Sequence, residues 1–329
     1  MEACVAGSGI YLPERIVSNE EIAAALGLDP DYIFKSAGIR RRRWASSTET
    51  TSSLAVAALG RALKDARLAP ADVDYLLFGT MTPDRFIPGT AAAVQRKNGL
   101  RDIPCLDIRA TCCNALYGLQ IARALIATKV ARNVAICLAE IQSPWLEMSP
   151  ESGKISMLFG DGASALIVSA ARGEASLEIL DILLATDGNY MDDLGIRSPG
   201  TEFGRPGKAA DSLPRMVGQS VILQASRKVV TACEAILQRN HIAVEEVRWV
   251  VPHEGNSNLL ARVMRNLSVS AEKTTAISVM EDLGNTSSAS MGIAIDKLRR
   301  AHETKSGDYV LLPAFGAGFT WGAGLCRVS

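Results

Sequence analysis

The chain has 329 residues, and its 35 basic side chains balance 35 acidic ones, so no global charge draws it to nucleic acid or an anionic membrane. Hydrophobic residues make up 48% and charged residues 21%, which is typical of a globular protein and excludes intrinsic disorder. Seven cysteines without framework spacing, a start unlike a signal peptide and no apolar run of about 20 residues predict a cytoplasmic enzyme or binding protein.

In chain order, the predicted elements of the first half recur in the second. The opening strand ACVAGSGIYLP is matched by SLEILDILLATDG, and helix 53–68 with strand 73–79 by helix 220–240 with strand 247–253. PCLDIRATCCNALYGLQIARALI then matches TAISVMEDLGNTSSASMGIAIDKLRR, each a strand, a small-residue elbow and a helix. The strands 133–140 and 308–316, followed by 159–170 and 319–328, complete the two sets.

Helices that alternate with apolar strands predict an α/β fold with largely parallel sheets covered on both faces. We expect two duplicated βαβαββ halves, residues 1–172 and 173–329, packed back to back in an α/β/α/β/α layered arrangement. The segment 186–214 is rich in Gly, Pro and Asp and predicts a long surface loop.

Three chemically useful side chains stand at the carboxyl ends of predicted strands, where α/β sheets form their sites. Cys112 follows PCLDI, His253 ends VRWVVP, and Asn285 stands in the elbow that corresponds to Cys112. The start of a helix favours thiolate over thiol, so Cys112 is the candidate nucleophile rather than a small buried residue. Cys113 competes for that role, but one residue further its side chain points about 100° away.

The choice of a histidine is narrow because the chain has only three. His241 in a turn and His302 at a polar helix end are expected at the solvated surface. His253 leaves a buried strand and faces a Glu-Gly-Asn loop, a placement suited to a donor or acceptor in a cleft. Asn285 taken alone could equally cap the following helix.

Four separated motifs carry a resemblance to a known family. They are DIRATCCNALYGL around Cys112, VPHEGN around His253, LGNTSSAS around Asn285 and the ending AFGAGFTWGAGL. With SGIYLPERIVSNEEI, SAGIRRRR and FGDGASA they resemble β-ketoacyl-acyl-carrier-protein synthase III, of the thiolase-like superfamily, over essentially the whole chain. The resemblance implies a homodimer of thiolase-like fold, in agreement with the duplicated plan.

The resemblance also implies a role for each residue. Cys112 takes the acyl group of an acyl-CoA primer as a thioester, and backbone N–H groups of Cys112 and of Gly316–Ala317–Gly318 stabilise the oxyanion. His253 and Asn285 donate hydrogen bonds to the thioester oxygen of a malonyl unit on acyl carrier protein and favour the attacking enolate. No metal or redox cofactor is needed.

Substrate-binding residues follow from the same resemblance. Tyr32 stands where the family often has a tryptophan that stacks on the CoA adenine, and Lys35 lies beside Ser36, where an arginine is common. We also expect Phe315 and Asn256 to contact substrate.

The acyl pocket differs from that of acetyl-using members in one residue. Ile87, expected near the dimer interface and on the pocket floor of the partner subunit, replaces the phenylalanine that closes their pocket, which predicts room for a longer or branched primer. Arg85 or Arg109 would instead favour a primer with a distal carboxylate if either reached the pocket, but we expect both to be solvated or paired structurally.

Three functions are compatible with this set of residues. The leading one is a decarboxylative condensing enzyme, in fatty-acid initiation or a specialised pathway. The second is an acyltransferase of the same fold that moves an acyl group to O, N or S without condensation; such relatives often alter the Asn or the His, and this chain retains both. The third, a non-catalytic partner subunit, is disfavoured because Cys112 is present.

Overall fold

The computed structural model describes residues 2–171, 173, 175–202, 209–270, 272–300 and 303–329. Strands lie where apolar runs rich in β-branched residues were predicted, and strand 133–140 has the predicted bounds. The strands are β1 (Cys4–Tyr11), β2 (Arg15–Ser18), β3 (Arg41–Trp44), β4 (Tyr75–Gly79), β5 (Cys105–Ile108), β6 (Asn133–Glu140), β7 (Gly162–Ser169), β8 (Leu177–Thr186), β9 (Leu194–Gly195), β10 (Arg215–Met216), β11 (Val247–Val250), β12 (Thr275–Ala276), β13 (Tyr309–Gly316) and β14 (Thr320–Val328).

Four helices, α1, α2, α3 and α8, begin at side-chain caps. Thr50 and Ser53 form a reciprocal capping box at the start of α3, and the Asn256 side chain caps α8. The helices are α1 (Asn19–Leu26), α2 (Pro30–Ala37), α3 (Thr51–Asp65), α4 (Thr90–Lys97), α5 (Asn114–Ala127), α6 (Gly153–Ser156), α7 (Gly218–Arg239), α8 (Ser257–Asn266), α9 (Met280–Leu283) and α10 (Ala289–Arg300). Among the described residues, no helix is both long and apolar enough to cross a membrane.

The order of strands in the main sheet confirms the duplication. It runs β12-β11-β13-β14-β8-β1-β7-β6-β4-β5, so each half contributes five strands in the same order, reading inward from its own edge. In both halves the two outer pairings are parallel and the two inner ones antiparallel. The halves join where β1 pairs with β8 over only two residue pairs. The chain boundary between 1–172 and 173–329 stays a prediction.

Helices lie in three layers around these strands. In the first half α3 and α4 pack on β4, β6 and β7, and in the second half α7 and α8 pack on β11, β13 and β14. Between the halves, α5 and α10 form a shared core with apolar residues of both sets of strands. This is the predicted α/β/α/β/α arrangement, and it brings the start of α5 and the start of α10 to the middle of the molecule.

The predicted surface loop 186–214 has little regular structure where it is described. It holds a short 3-10 helix over Gly188–Asp193 and the two-residue strand β9, which pairs with β10. Residues 203–208 lie outside the described residues. The described part of the segment is therefore a long connection between β8 and α7, as predicted.

Candidate active site

Cys112 lies in a tight turn between β5 and α5. Thr111 has a positive φ of 52°, and residues Thr111–Cys113 form a 3-10 turn before α5 begins at Asn114. Gly316, at the end of β13, packs directly on this turn: a Cβ atom added there would lie 3.0 Å from the Cys112 nitrogen and in steric conflict with the Thr111 hydroxyl. A glycine is therefore required at position 316 for the second half to approach the thiol turn.

The Cys112 thiol is protonated at neutral pH. Burial raises the pKa of Cys112 to about 12, and the nearby Glu140 carboxylate adds to that rise. The Ser287 hydroxyl, 3.4 Å from the Cys112 sulfur, acts in the opposite direction. Burial and Glu140 therefore oppose the preference for thiolate that was expected at the helix start.

The two adjacent cysteines face different surroundings. Cys112 keeps part of its surface accessible, whereas Cys113 is fully buried with its sulfur 3.6 Å from the carbonyl oxygen of Thr320. The prediction that both thiols cannot face one pocket is confirmed. Only Cys112 is positioned to meet a substrate.

His253 is a buried, neutral ring three residues beyond β11, which ends at Val250 rather than at the predicted position 253. Its backbone N–H donates to Pro313 at 2.8 Å, and its Nδ1 lies 2.7 Å from the Ser290 hydroxyl. Burial lowers the pKa of His253 to about 4, so the imidazole carries no charge at neutral pH. His241 is exposed in a turn, as expected, and His302 lies outside the described residues.

Asn285 is held by the backbone around it rather than used as a helix cap. Its Oδ1 accepts from the Ser287 N–H at 2.8 Å, and α10 begins only at Ala289. Gly284 before it has φ 64°, and the backbone N–H of Asn285 donates to the Leu158 carbonyl oxygen at 2.8 Å. Because the oxygen is occupied, the amide nitrogen is the end of the side chain that can donate to a ligand.

Segment 285–290 links the three candidate residues. Ser287 contacts the Cys112 sulfur and orients the Asn285 amide, and Ser290 contacts His253. The two pseudo-symmetric elbows therefore meet, as predicted. Ser287 and Ser290 were not singled out from the sequence, and helical spacing gave no signal for the pair because Ser287 precedes α10 and has φ 48°.

The glycine-rich turn between β13 and β14 borders the thiol. The Thr111 hydroxyl donates to the Ala317 carbonyl oxygen at 3.1 Å, which fixes the turn against residues 111–113. Gly318 has φ 136°, a conformation that side chains rarely adopt. Gly316, Ala317 and Gly318 thus lie beside Cys112, where the oxyanion was expected.

A buried carboxylate, that of Glu140, was not predicted from the sequence and is hydrogen-bonded to a serine next to the site. Glu140 at the end of β6 is fully buried and accepts hydrogen bonds from the Ser288 hydroxyl, the Thr82 hydroxyl at 2.8 Å and the Met81 N–H at 3.1 Å. Burial raises the pKa of Glu140. Its position at a strand end is the same signal that pointed to His253.

Two of the expected substrate-binding residues, Phe315 and Asn256, lie beside His253, and Asn256 is hydrogen-bonded to the helix that carries two others. Asn256 donates from its side chain to the Ser36 carbonyl at 2.8 Å and so ties the start of α8 to the end of α2, the helix that carries Tyr32 and Lys35. Phe315 packs edge-on against the His253 ring at 5.5 Å. Asn256, His253 and Phe315 line a small cavity of about 20 Å³, room for one water molecule.

Ile87, the fifth expected residue, lies elsewhere on the surface. It is 77% exposed on the connection between β4 and α4, beside Phe86, which is 64% exposed. Arg85 and Arg109 are also exposed. Within a single chain, Ile87 therefore closes no pocket.

A larger cavity of about 790 Å³ is unrelated to these residues. It lies along the later turns of α5, between Gln120, Arg123 and Ala127 and the start of β8. No candidate catalytic residue lines it, so we place the site at the Cys112 turn, where the reactive groups are. In the described part of the chain, no group of three or more His, Cys, Asp or Glu side chains could hold a metal ion.

Comparisons with known proteins agree with this geometry. Residues 106–188 match the family description 3-oxoacyl-[acyl-carrier-protein] synthase III, and residues 237–328 match its C-terminal description. The chain is 37% identical to a β-ketoacyl-[acyl-carrier-protein] synthase III of Nitratidesulfovibrio vulgaris, over 98% of this chain and 97% of that protein. It is 35% identical to a β-ketoacyl-[acyl-carrier-protein] synthase III of Streptomyces coelicolor, over 96% and 94%.

Solved structures give the same result. The 3-oxoacyl-[acyl-carrier-protein] synthase III of Aquifex aeolicus superposes with a TM-score of 0.89 at 29% identity, covering 99% of this chain and all of that one. A priming β-ketosynthase of a polyketide biosynthetic pathway superposes with a TM-score of 0.88 at 29% identity, covering 99% and 96%.

Proposed function

Because the chain belongs to the 3-oxoacyl-[acyl-carrier-protein] synthase III family, we propose that Cys112, His253 and Asn285 are its catalytic residues. The protein is an acyl-transferring condensing enzyme. It joins an acyl-CoA primer to a malonyl thioester, releases carbon dioxide and forms a β-ketoacyl product. The observation that carries the assignment of residues is their linkage through segment 285–290, which ties the thiol, the imidazole and the amide into one cluster.

In the first half-reaction, the Cys112 sulfur attacks the primer carbonyl carbon. The oxyanion forms beside Gly316, Ala317 and Gly318, where backbone N–H groups stabilise it. The thioester bond to CoA then breaks, and in the overall step the Cys112 proton ends on the CoA sulfur. The Ser287 hydroxyl lies 3.4 Å from the Cys112 sulfur and stabilises negative charge there.

In the second half-reaction, the acyl group on Cys112 awaits a malonyl thioester. Asn285 donates from its amide nitrogen and His253 from a ring nitrogen to the malonyl thioester oxygen. Carbon dioxide leaves, the electron pair of the broken bond forms an enolate, and these donors stabilise it. The enolate carbon attacks the acyl carbonyl, and the Cys112 thiolate is released.

We place the CoA thioester between α2 and α8. Tyr32, 40% exposed, offers a ring for stacking, and Lys35 offers a positive charge beside it. Asn256 and Phe315 lie between these residues and His253. Acyl carrier protein is the proposed carrier of the malonyl unit, and the cytoplasm is the proposed location.

We also propose a homodimer built on β5. This strand ends the sheet of the first half and pairs only with β4 among the described strands, so its outer edge is available to a second copy. Leu106 on β5 is 41% exposed, close to the exposed Phe86 and Ile87. A two-fold partner on this edge would cover these apolar side chains and bring Ile87 to the other protomer's site.

Product formation tests the reaction. The protein is incubated with a primer acyl-CoA and either malonyl-carrier protein or malonyl-CoA, and β-ketoacyl product and carbon dioxide are measured. We expect equal amounts of both, with the carrier-bound substrate preferred. Release of free CoA with acylation of a small acceptor but no carbon dioxide would instead identify an acyltransferase that does not condense.

A further inference from the structure

Ser290 is the polar partner of the His253 ring. Its hydroxyl oxygen lies 2.7 Å from Nδ1, and among the described residues no other side chain is hydrogen-bonded to the imidazole. The ring also packs edge-on against Phe315, with ring centroids 5.5 Å apart. Both His253 and Ser290 are buried, 4% and 1% exposed, so bulk water is a poor substitute for this contact.

The Ser290 hydroxyl has one proton and two acceptors within reach. It can donate to the Ser287 carbonyl oxygen at 2.9 Å or to Nδ1 of His253 at 2.7 Å. The Ser287 oxygen also receives the Ser290 backbone N–H at 3.3 Å, so it keeps a donor if the hydroxyl turns away. Nδ1 has no such second donor in the described structure.

The direction of this hydrogen bond decides what His253 offers at Nε2. A neutral imidazole carries one proton, and burial keeps the pKa of His253 near 4. If Ser290 donates to Nδ1, the proton is on Nε2, which then donates to a ligand. If Ser290 donates only to Ser287, the proton is on Nδ1 and Nε2 can only accept.

We propose that Ser290 is a positioning residue whose hydroxyl donates to Nδ1 of His253 and thereby keeps the ring proton on Nε2, where it stabilises the malonyl-derived enolate. This rests on the proposed donor role of His253. The malonyl thioester oxygen at Nε2 adds a hydrogen bond to this tautomer alone, which offsets the bond that Ser287 gives up. Ser290 touches no substrate and acts through the ring.

Separate measurement of the two half-reactions tests this role. In Ser290→Ala, condensation should fall about tenfold to a hundredfold through kcat, while acylation of Cys112 changes less than about threefold. Ser290→Thr keeps the hydroxyl and should recover most of the lost rate. The matched control is Ser226→Ala, because Ser226 is equally buried and donates to the carbonyl three residues earlier, in α7 and away from the site. Equal loss of both half-reactions in Ser290→Ala would overturn the proposal.

The tautomer itself is observable without any assay. Only three histidines are present, so ¹⁵N-histidine labelling with His253→Gln for assignment identifies the His253 signals. With a non-decarboxylating malonyl-thioester analogue bound to the wild-type protein, Nε2 should be protonated and Nδ1 should not. A proton on Nδ1 and a bare Nε2 in that complex would refute the role of Ser290. A failure of the proposed donor role of His253 differs, since then His253→Ala condenses like the wild type.

Discussion

The sulfur of Cys112 lies 3.4 Å from the hydroxyl of Ser287, a residue 175 positions away in the other half of the duplicated fold. This contact exists because α5 and α10 begin at equivalent places in the two halves and share one core. Gly316 permits it by leaving room for the turn that carries the thiol. The site is therefore built across the pseudo-symmetric interface, and disturbing either elbow should affect the reactivity of Cys112.

The first prediction concerns the pH dependence of that thiol. Because burial raises the pKa of Cys112 to about 12, the thiolate fraction should rise about tenfold per pH unit between pH 7 and 10. Alkylation of Cys112 by iodoacetamide, followed by peptide mass spectrometry, should rise at the same rate. Cys112→Ala provides the baseline from the other six cysteines. A rate that levels off below pH 8 would show that the resting protein stabilises the thiolate.

The second prediction separates the two half-reactions. Replacing His253 or Asn285 by Ala should lower condensation roughly 10²–10³-fold, the size typical of one lost oxyanion donor, and should lower acylation of Cys112 far less. Single-turnover acylation and steady-state product formation are measured on the same preparations. Mutants that acylate as slowly as they condense would disprove the assignment of both residues to decarboxylation.

The third prediction concerns assembly. Leu106→Arg places a charge on the exposed edge strand β5 and should shift the protein from dimer to monomer in sedimentation velocity. Ile222→Arg is the matched control, because Ile222 is an equally exposed apolar residue on α7 in the second half of the fold. A wild-type protein that is monomeric and active at assay concentrations would contradict the dimer.

The fourth prediction concerns primer length. If Ile87 of a second copy closes the acyl pocket, each additional buried methylene should favour binding by about 0.8 kcal/mol, nearly fourfold, as long as room remains. Primers of about four to eight carbons should then acylate Cys112 better than acetyl-CoA, and Ile87→Phe should reverse the order. Acetyl-, hexanoyl- and glutaryl-CoA are compared in one acylation assay. A preference for glutaryl-CoA would indicate that Arg85 or Arg109 reads a distal carboxylate, and one for acetyl-CoA would rule out a wide pocket.

The fold was predictable because apolar periodicity and strand order repeat along the chain. Strand 133–140 was found at its predicted bounds, and the elbows at Cys112 and Asn285 face each other as the duplication required. These features depend on local pattern, which the sequence contains directly.

The chemistry of the site was less predictable because it depends on tertiary packing. The helix start at Cys112 suggested a thiolate, but the pKa of the thiol is raised by neighbours that are distant in sequence. Ser290 was one serine among several in LGNTSSAS until its distance to His253 was known. Glu140 ended an apolar strand, yet only the packing of Ser288 against it reveals its place beneath the site.

Mapping the acyl adduct shows whether Cys112 carries the acyl group. The wild-type protein is incubated with acyl-CoA alone, digested and analysed by peptide mass spectrometry, and a parallel sample is chased with malonyl-carrier protein. We expect the adduct on Cys112, its disappearance during the chase with formation of β-ketoacyl product, and no adduct in Cys112→Ala, whereas Cys113→Ser should keep substantial activity. An adduct on Cys113, or one on Cys112 that persists through the chase, would contradict the account.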